Sequence, residues 1–420
     1  MALTNWAGNV AFRPRQLHRP SSVEQLRRIV AGGDRVRALG TGHSFNRLAD
    51  TGGDLVSLAG LPPMMDIDTT RMAVRVAAGV RYGELATYLE GHGCALRNLA
   101  SLPHISVAGA CATGTHGSGV GNGSLATAVS ALTMVTADGD LVTLDRADRR
   151  FPGAVVALGA LGIVTSLTVD VVPSFEMEQH VYEDLPRGRI DTDFDEIMSG
   201  AYSVSLFTDW SGPDVTQVWL KCLAGTFVAE RDWFGATRAD GPRHPIRGGS
   251  AANCTEQLGV PGPWHERLPH FRLEFTPSSG DELQSEYAVP RDRAVEALAT
   301  LDGIRARIAP VLQVSEIRTV AADDLWLSPF YGRDSVTVHF TWLPDAAAVQ
   351  PVVGLIEDRL APFAARPHWG KVFDMRPAVL AGVYERLPDF AGLMRAYDPR
   401  GTFRNDLIDR WSPPASAPRG

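Results

Sequence analysis

Apolar and polar positions divide the chain into three stretches. Over residues 1 to about 180, short alternating runs are separated by Gly-rich turns. Val23, Leu26, Ile29 and Val30 recur at helical spacing, which predicts a helix over 22–31 with Ser21 or Ser22 as N-cap. Residues 34–39 and 74–77 alternate with period two and read as strands. A second helix is expected over 82–92, closed by Gly93. From 181 to 372 longer strands are expected over 203–210, 217–222, 283–289, 314–320 and 336–342, with helices over 291–307 and 346–360. The Gly-, Arg- and Pro-rich stretch 226–253 reads as a long loop. The last stretch, 373–420, reads as helix and loop, ending in a Pro/Ala/Ser tail expected to fray. Strands interrupted by helices predict an α+β layer, an antiparallel sheet covered by helices.

Length makes this a two-domain problem, because 420 residues exceed what one core holds. Forty basic against 48 acidic side chains leave a net charge of −8. That balance argues against a nucleic-acid partner and against anchoring to an anionic membrane. The longest apolar stretch, 154–167, is too short to span a bilayer, and no targeting pattern opens the chain. Four scattered cysteines, Cys94, Cys111, Cys222 and Cys254, form no CxxC pair, so free thiols and a cytoplasmic location are expected. Glycine is the unusual count. Many of the 41 glycines crowd between Gly32 and Gly162, interleaved with Val, Ile, Leu and Ala, as expected of backbone lying close to a large ligand.

Two runs carry that expectation. In Arg37-Ala38-Leu39-Gly40-Thr41-Gly42-His43-Ser44-Phe45-Asn46 a strand empties into a turn with two glycines. It is not the Rossmann fingerprint, since Phe45 stands where the third glycine belongs, and no Gly-Lys-Ser/Thr makes it a P-loop. Such a turn exposes successive backbone N–H groups to a pyrophosphate, or is a plain β-turn with a solvated histidine. The run from Ala100 to Gly119 is nearly all small residues after Ser106, so its backbone can approach a flat ligand. No second set of ligands stands at metal spacing near His104 or His116, so neither is read as a metal ligand.

Strand parity adds a third feature. Gln284 and Glu286 share one face of their strand, Glu316 and Arg318 of theirs, and Thr337, His339 and Thr341 of theirs. Any one of these is commonly a solvated sheet face. Three together, with Lys371 nearby, favour the floor of a polar pocket.

The two runs, with Ala157-Leu158-Gly159-Ala160-Leu161-Gly162-Ile163-Val164-Thr165, resemble the vanillyl-alcohol-oxidase (PCMH) type of FAD-binding domain. Asn5-Trp6-Ala7-Gly8-Asn9, the stretch 101–124, Cys254-Thr255-Glu256-Gln257, Pro263 to Phe271 and His368-Trp369-Gly370-Lys371 resemble the alditol (xylitol) oxidases within it. The resemblance covers essentially the whole chain. It implies an FAD-binding domain over 1–180 and 373–420, with a substrate domain over 181–372 inserted. It implies FAD bound covalently through His43. Ala38, Leu39, Gly40, Thr41, Gly42, His43 and Ser44 would wrap the pyrophosphate. Ser101, Ser106, Gly109, Ala110, Cys111, Ala112 and Thr113 would line the isoalloxazine and ribityl side, and Val164 the adenine end. His104 and His116 would pack beside the flavin.

Ser101, Gln284, Glu316, Arg318, His339, Thr341 and Lys371 would bind substrate, with Arg318, Lys371, Glu316 and His339 in the catalytic group. The implied reaction is oxidation of the C1 alcohol of a polyol by hydride transfer to flavin N5, with O2 reduced to hydrogen peroxide. A monomer is expected. An aldonolactone oxidase or dehydrogenase and a non-catalytic sugar-binding relative are the alternatives, and the small Ala100 before Ser101 does not separate oxidase from dehydrogenase.

Overall fold

The computed structural model describes residues 3–275 and 282–412. The expected fraying of the Pro/Ala/Ser tail lies outside the described residues. Near the start, three parallel strands pair in the order Gln16–His18, Asp54–Ser57, Val36–Leu39. The helix Val23–Gly32 connects the outer two. Ser22 caps it by accepting from the Gln25 N–H, and Leu26 and Val30 are buried on the face the spacing selects. An antiparallel five-stranded sheet follows in the order Met65–Asp68, Ala73–Ala77, Ile163–Asp170, Val129–Val135, Leu141–Asp145. The helix Tyr82–Glu90 ends as expected near Gly93, whose φ of 68° lies in the left-handed region that glycine favours.

Arg37 ties these layers together. It is buried, and its guanidinium donates to the carbonyls of Leu48, Leu158, Gly159 and Phe403 at 2.6–2.9 Å. Phe403 belongs to the C-terminal stretch. There Asp398 accepts the N–H groups of Thr402 and Phe403, and the Val36 N–H donates to the Thr402 carbonyl. The segment 398–403 therefore packs beside the first strands.

The second body is a ten-stranded antiparallel sheet. Its main strands run Glu176–Leu185, Val215–Leu223, Ser203–Thr208, Leu312–Val320, Ser335–Trp342, Leu283–Pro290. The first of these straddles residue 180. One face carries Tyr287, Val338, Phe340 and Trp342, with the last two rings stacked 4.9 Å apart. The helix Ala346–Leu360 covers this face, and its Glu357 accepts the Tyr287 hydroxyl at 2.8 Å. The opposite face is left to the site.

Two expectations on this body are corrected. The helix expected over 291–307 is broken into Ala294–Asp302 and Arg305–Ile308, because Gly303 ends the first helix. The 226–253 stretch is not all loop. Asp232–Trp233 and Ala236–Arg238 form a hairpin that pairs onto Glu176–Leu185. Its two-residue turn, Phe234-Gly235, has positive φ at both positions, the geometry that suits a tight hairpin. Likewise, part of the small-residue run is regular: Val107–Ala112 is a short helix.

Candidate active site

The register of the large sheet assembles a row of side chains that the sequence scatters. Glu286 pairs with His339, His339 with Glu316, and Glu316 with Phe207. One step along, Gln284 pairs with Thr341; on the other side, Arg318 pairs with Thr337. Side chains in one cross-strand row share a face, so these residues form one wall.

Lys371 reaches this wall from a turn held by five hydrogen bonds. The His368 N–H donates to the Glu286 carbonyl, and the Val372 N–H to that of Gln284. Asn46 Nδ2 donates to the carbonyls of Trp369 and Lys371 at 2.8 Å. The Phe45 N–H meets the Gly370 carbonyl at 2.7 Å. The turn that follows His43 thus fixes the backbone that presents Lys371.

Glu286 is the centre of the charge arrangement. It is 2% exposed. Its carboxylate takes the Lys371 ammonium, Arg318 Nη2 at 3.1 Å and His116 Nε2 at 2.5 Å. Burial opposes its ionisation, but Lys371, His116 and Arg318 outweigh burial and hold the carboxyl well below the usual range. Glu316 is similar. Burial pushes it up, and Arg318 and His270 push it further down. His270 donates to it at 2.7 Å.

Lys371 and His339 shift the other way. Burial lowers the lysine, Glu286 raises it and Arg318 lowers it, with a net fall. His339 is lowered to about 4, first by burial and then by Lys371. Lys371 Nζ lies 2.7 Å from His339 Nδ1, and His339 Nε2 lies 3.0 Å from the Thr341 hydroxyl. A neutral ring with its hydrogen on Nε2 satisfies both contacts.

Facing this wall is the Gly-rich cradle. A cavity of about 520 Å³ touches every residue expected at the site, from Ala38 through Ser44, Ser101, Ser106, Gly109 through Thr113 and Val164 to Gln284, Glu316, Arg318, His339, Thr341 and Lys371. Ligand sites commonly have this size. Among the described residues, no protein acceptor meets the backbone N–H groups of Thr41, Gly42, His43 or Ser44. A row of unpaired donors at a cavity wall fits the diphosphate of FAD. Gly40 and Gly109 border the same space, and a Cβ on either would fall 2.5 or 2.7 Å from the Ser106 hydroxyl. His43 lies against Trp6, ring centroids 5.2 Å apart and nearly parallel. Its Nδ1 meets the Thr41 hydroxyl at 3.0 Å, and its pKa is lowered to about 4, mainly by burial.

Three residues of this site were absent from the expected set. Glu286 shares the face of Gln284, so parity pointed to it, but no local pattern could place Lys371, Arg318 and His116 around it. His116 was expected only as a flavin neighbour, and it is Glu286's partner. His270 was visible only within the quoted 263–271 motif. The structure also separates the two histidines of the small-residue run: His116 lines the cavity, whereas His104 turns away to the Leu273 carbonyl at 2.8 Å. Among the described residues there is no cluster of metal-ligating side chains, and no helix is long and apolar enough to cross a membrane.

Comparison with known proteins fits this geometry. Residues 14–145 match the FAD binding domain family, and residues 281–411 match the D-arabinono-1,4-lactone oxidase family. The chain is 53% identical to an alditol oxidase of a Streptomyces species, covering 97% of this chain and 99% of that one. It is 29% identical to the L-gulono-1,4-lactone dehydrogenase of Mycobacterium tuberculosis, with 97% and 98% covered. Cholesterol oxidase from B. sterolicum shares the fold, with a TM-score of 0.78 at 16% identity over 98% of this chain and 96% of that one.

Proposed function

The chain belongs to the alditol oxidase family of FAD-linked oxidoreductases, and from that premise we propose that it oxidises the C1 alcohol of alditols such as xylitol and sorbitol to the aldose. The observation that carries the reading is one cavity with two unlike walls. One offers backbone donors without side chains, and the other a buried row of Glu286, His339 and Glu316 with Arg318 and Lys371. What FAD supplies when bound is a hydride acceptor at N5 and return of both electrons to O2 as hydrogen peroxide.

The remaining work falls to the protein. A polyol leaving water needs a partner for each hydroxyl, and Ser101, Gln284, Glu316, His339 and Thr341 line the cavity for that purpose. The C1 hydroxyl is a weak acid, so its oxygen must be stabilised as its proton leaves. Arg318 and Lys371 are the cations beside it. Burial makes Lys371 readier to give up its proton, and Glu286 holds the ammonium in place. Cofactor binding falls to the segments before Glu176 and after 372 and substrate binding to the large sheet between them, the boundary moving from 180 to the start of that sheet's first strand. One chain lines the whole cavity, so a monomer suffices for the reaction. Its four buried free cysteines suit the cytoplasm.

His43 carries the covalent bond to the flavin C8 methyl carbon. Its lowered pKa leaves the ring neutral at physiological pH, with a lone pair available. Acid-precipitated wild type is expected to stay yellow, and His43→Ala to release the colour; colourless wild type removes the covalent bond. The substrate reading is tested by anaerobic titration of the yellow protein. Xylitol and sorbitol should bleach it, and bleaching by lactones alone would replace alditol oxidation with lactone oxidation.

A further inference from the structure

The cavity continues past the charged row to a wall made by the segment between the hairpin and Asn253. His244, Pro245 and Ile246 line it, and Gln284, Gln313 and Val314 line the same cavity. The backbone here is pinned. Gln217 pairs with Phe207 in the same cross-strand row as Glu316, and its Nε2 donates to the His244 carbonyl at 2.9 Å. Gln257 brackets the preceding residue, accepting the Arg243 N–H at 2.8 Å and donating to the Arg243 carbonyl at 2.7 Å. The two glutamines are 2% and 1% exposed. The Arg243 guanidinium is held in turn by Glu183 and Asp240.

The imidazole is fixed as well. Its Nδ1 accepts the Ile246 N–H at 3.0 Å, and its ring lies 5.7 Å from that of Phe271. It covers Gly249, where a Cβ would fall 2.6 Å from Nδ1. A nitrogen that accepts carries a lone pair, so the neutral ring bears its hydrogen on Nε2. Burial lowers the ring's pKa and favours that neutral form. An oriented N–H donor is therefore carried by a residue that lines the cavity beside Pro245, Ile246, Phe271 and Val314, with Gln284 and Gln313 also at the wall.

We propose that His244 donates to the hydroxyl at the far end of the polyol, so that the 244–246 segment measures substrate length. This rests on the alditol reading above. An alditol that reaches this wall gains a partner for its last hydroxyl. A shorter one stops at the charged row, and its C1 chemistry is unaffected by the wall.

The test compares His244→Ala, His244→Gln and Gly249→Ala with wild type on glycerol, erythritol, xylitol and sorbitol, reading kcat and KM separately. In His244→Ala, KM for xylitol and sorbitol should rise about five- to tenfold, the loss of one neutral hydrogen bond. Values for glycerol should stay within about twofold, and kcat at saturation should hold for all. His244→Gln, which keeps a donor, should recover part of the loss. Gly249→Ala keeps the histidine but displaces its ring, and should reproduce the length-dependent rise; it carries the test if His244→Ala fails to fold. A KM change equal for all lengths, or none for any, overturns the proposal. Wild type that oxidises no alditol overturns the alditol reading itself, a result distinct from oxidation with no length dependence.

Discussion

The two walls of the cavity hold their ligands by opposite means. The cofactor side is backbone: N–H groups from Thr41 to Ser44 that meet no acceptor among the described residues, with Gly40 and Gly109 leaving room beside Ser106. The substrate side is side chain: two buried carboxylates, Glu286 and Glu316, enclosed by Lys371, Arg318, His116 and His270. A diphosphate brings its own charge and needs only donors at fixed spacing. A polyol is neutral, so the charge that develops at its C1 oxygen must be met by charges the protein already holds in place. Those charges tolerate burial because each has an opposite partner. The asymmetry predicts that changes on the side-chain wall damage turnover with the cofactor retained, and changes on the backbone wall damage cofactor retention.

The largest effect should come from the side-chain wall. Lys371→Met is expected to slow anaerobic flavin reduction about a thousandfold, the scale of a lost proton-transfer or charge-stabilising group, with FAD still bound. Glu286→Gln, which leaves Lys371 and Arg318 without their shared carboxylate, should slow it about a hundredfold. Stopped-flow absorbance with xylitol measures both, and near wild-type reduction in Lys371→Met would remove that residue from the chemistry.

Next comes acid sensitivity, which both walls share. His43 on one side and His270 and His339 on the other have pKa values lowered to about 4, each chiefly by burial. Unfolded histidines bind protons below about 6.5, whereas the folded ones stay neutral to about 4. Across that window the unfolded state holds more protons, so stability falls as pH falls, by on the order of 3 kcal/mol for a single histidine. Asp323 opposes this. Burial raises it to about 6, so the folded state takes up its proton first as pH falls. Burial raises Glu357 and Asp398 too, but it also lowers His116, His244, His265 and His368, so the histidines outweigh the carboxyls and Tm should drop from pH 6.5 to 4. A flat Tm over that range contradicts the buried neutral rings. His270→Gln, which keeps a donor to Glu316, should make the slope shallower.

The smallest effect should come from the backbone wall. Gly40→Ala places a Cβ against the Ser106 hydroxyl and should cost about 1–2 kcal/mol of crowding. The flavin-to-protein absorbance ratio should fall, while the reduction rate of the molecules that retain FAD stays near wild type. Adding Ser106→Gly should restore the ratio. A rate defect at full occupancy would erase the distinction between the walls.

The backbone wall was the more legible one. Gly40, Gly42 and the small residues from Ser106 to Thr113 are close in sequence, and their function needs only local geometry. Local signals also located the helix Ala346–Leu360 and narrowed the cap of the first helix to Ser21 or Ser22, of which the fold uses Ser22. They failed where a single glycine or turn decides. Gly303 split one helix, and Phe234-Gly235 made a hairpin of an expected loop. The side-chain wall was legible only strand by strand. Parity put Gln284 with Glu286 and Glu316 with Arg318, but parity says nothing about which strand lies beside which.

The sequence by itself determined the kinds of groups available and the faces they occupy: a Gly-rich turn ending at His43, and polar residues alternating along three strands. Periodicity and φ preferences are local, and a local pattern is complete within a few residues. Only the tertiary structure decided that Glu286, His339 and Glu316 stand in one row, and that the turn after His43 holds the backbone of Lys371. It alone showed that buried Gln217 and Gln257 set His244 into the cavity wall. Such arrangements depend on register between strands far apart in the chain, and register is settled by the packing of both sheet faces at once.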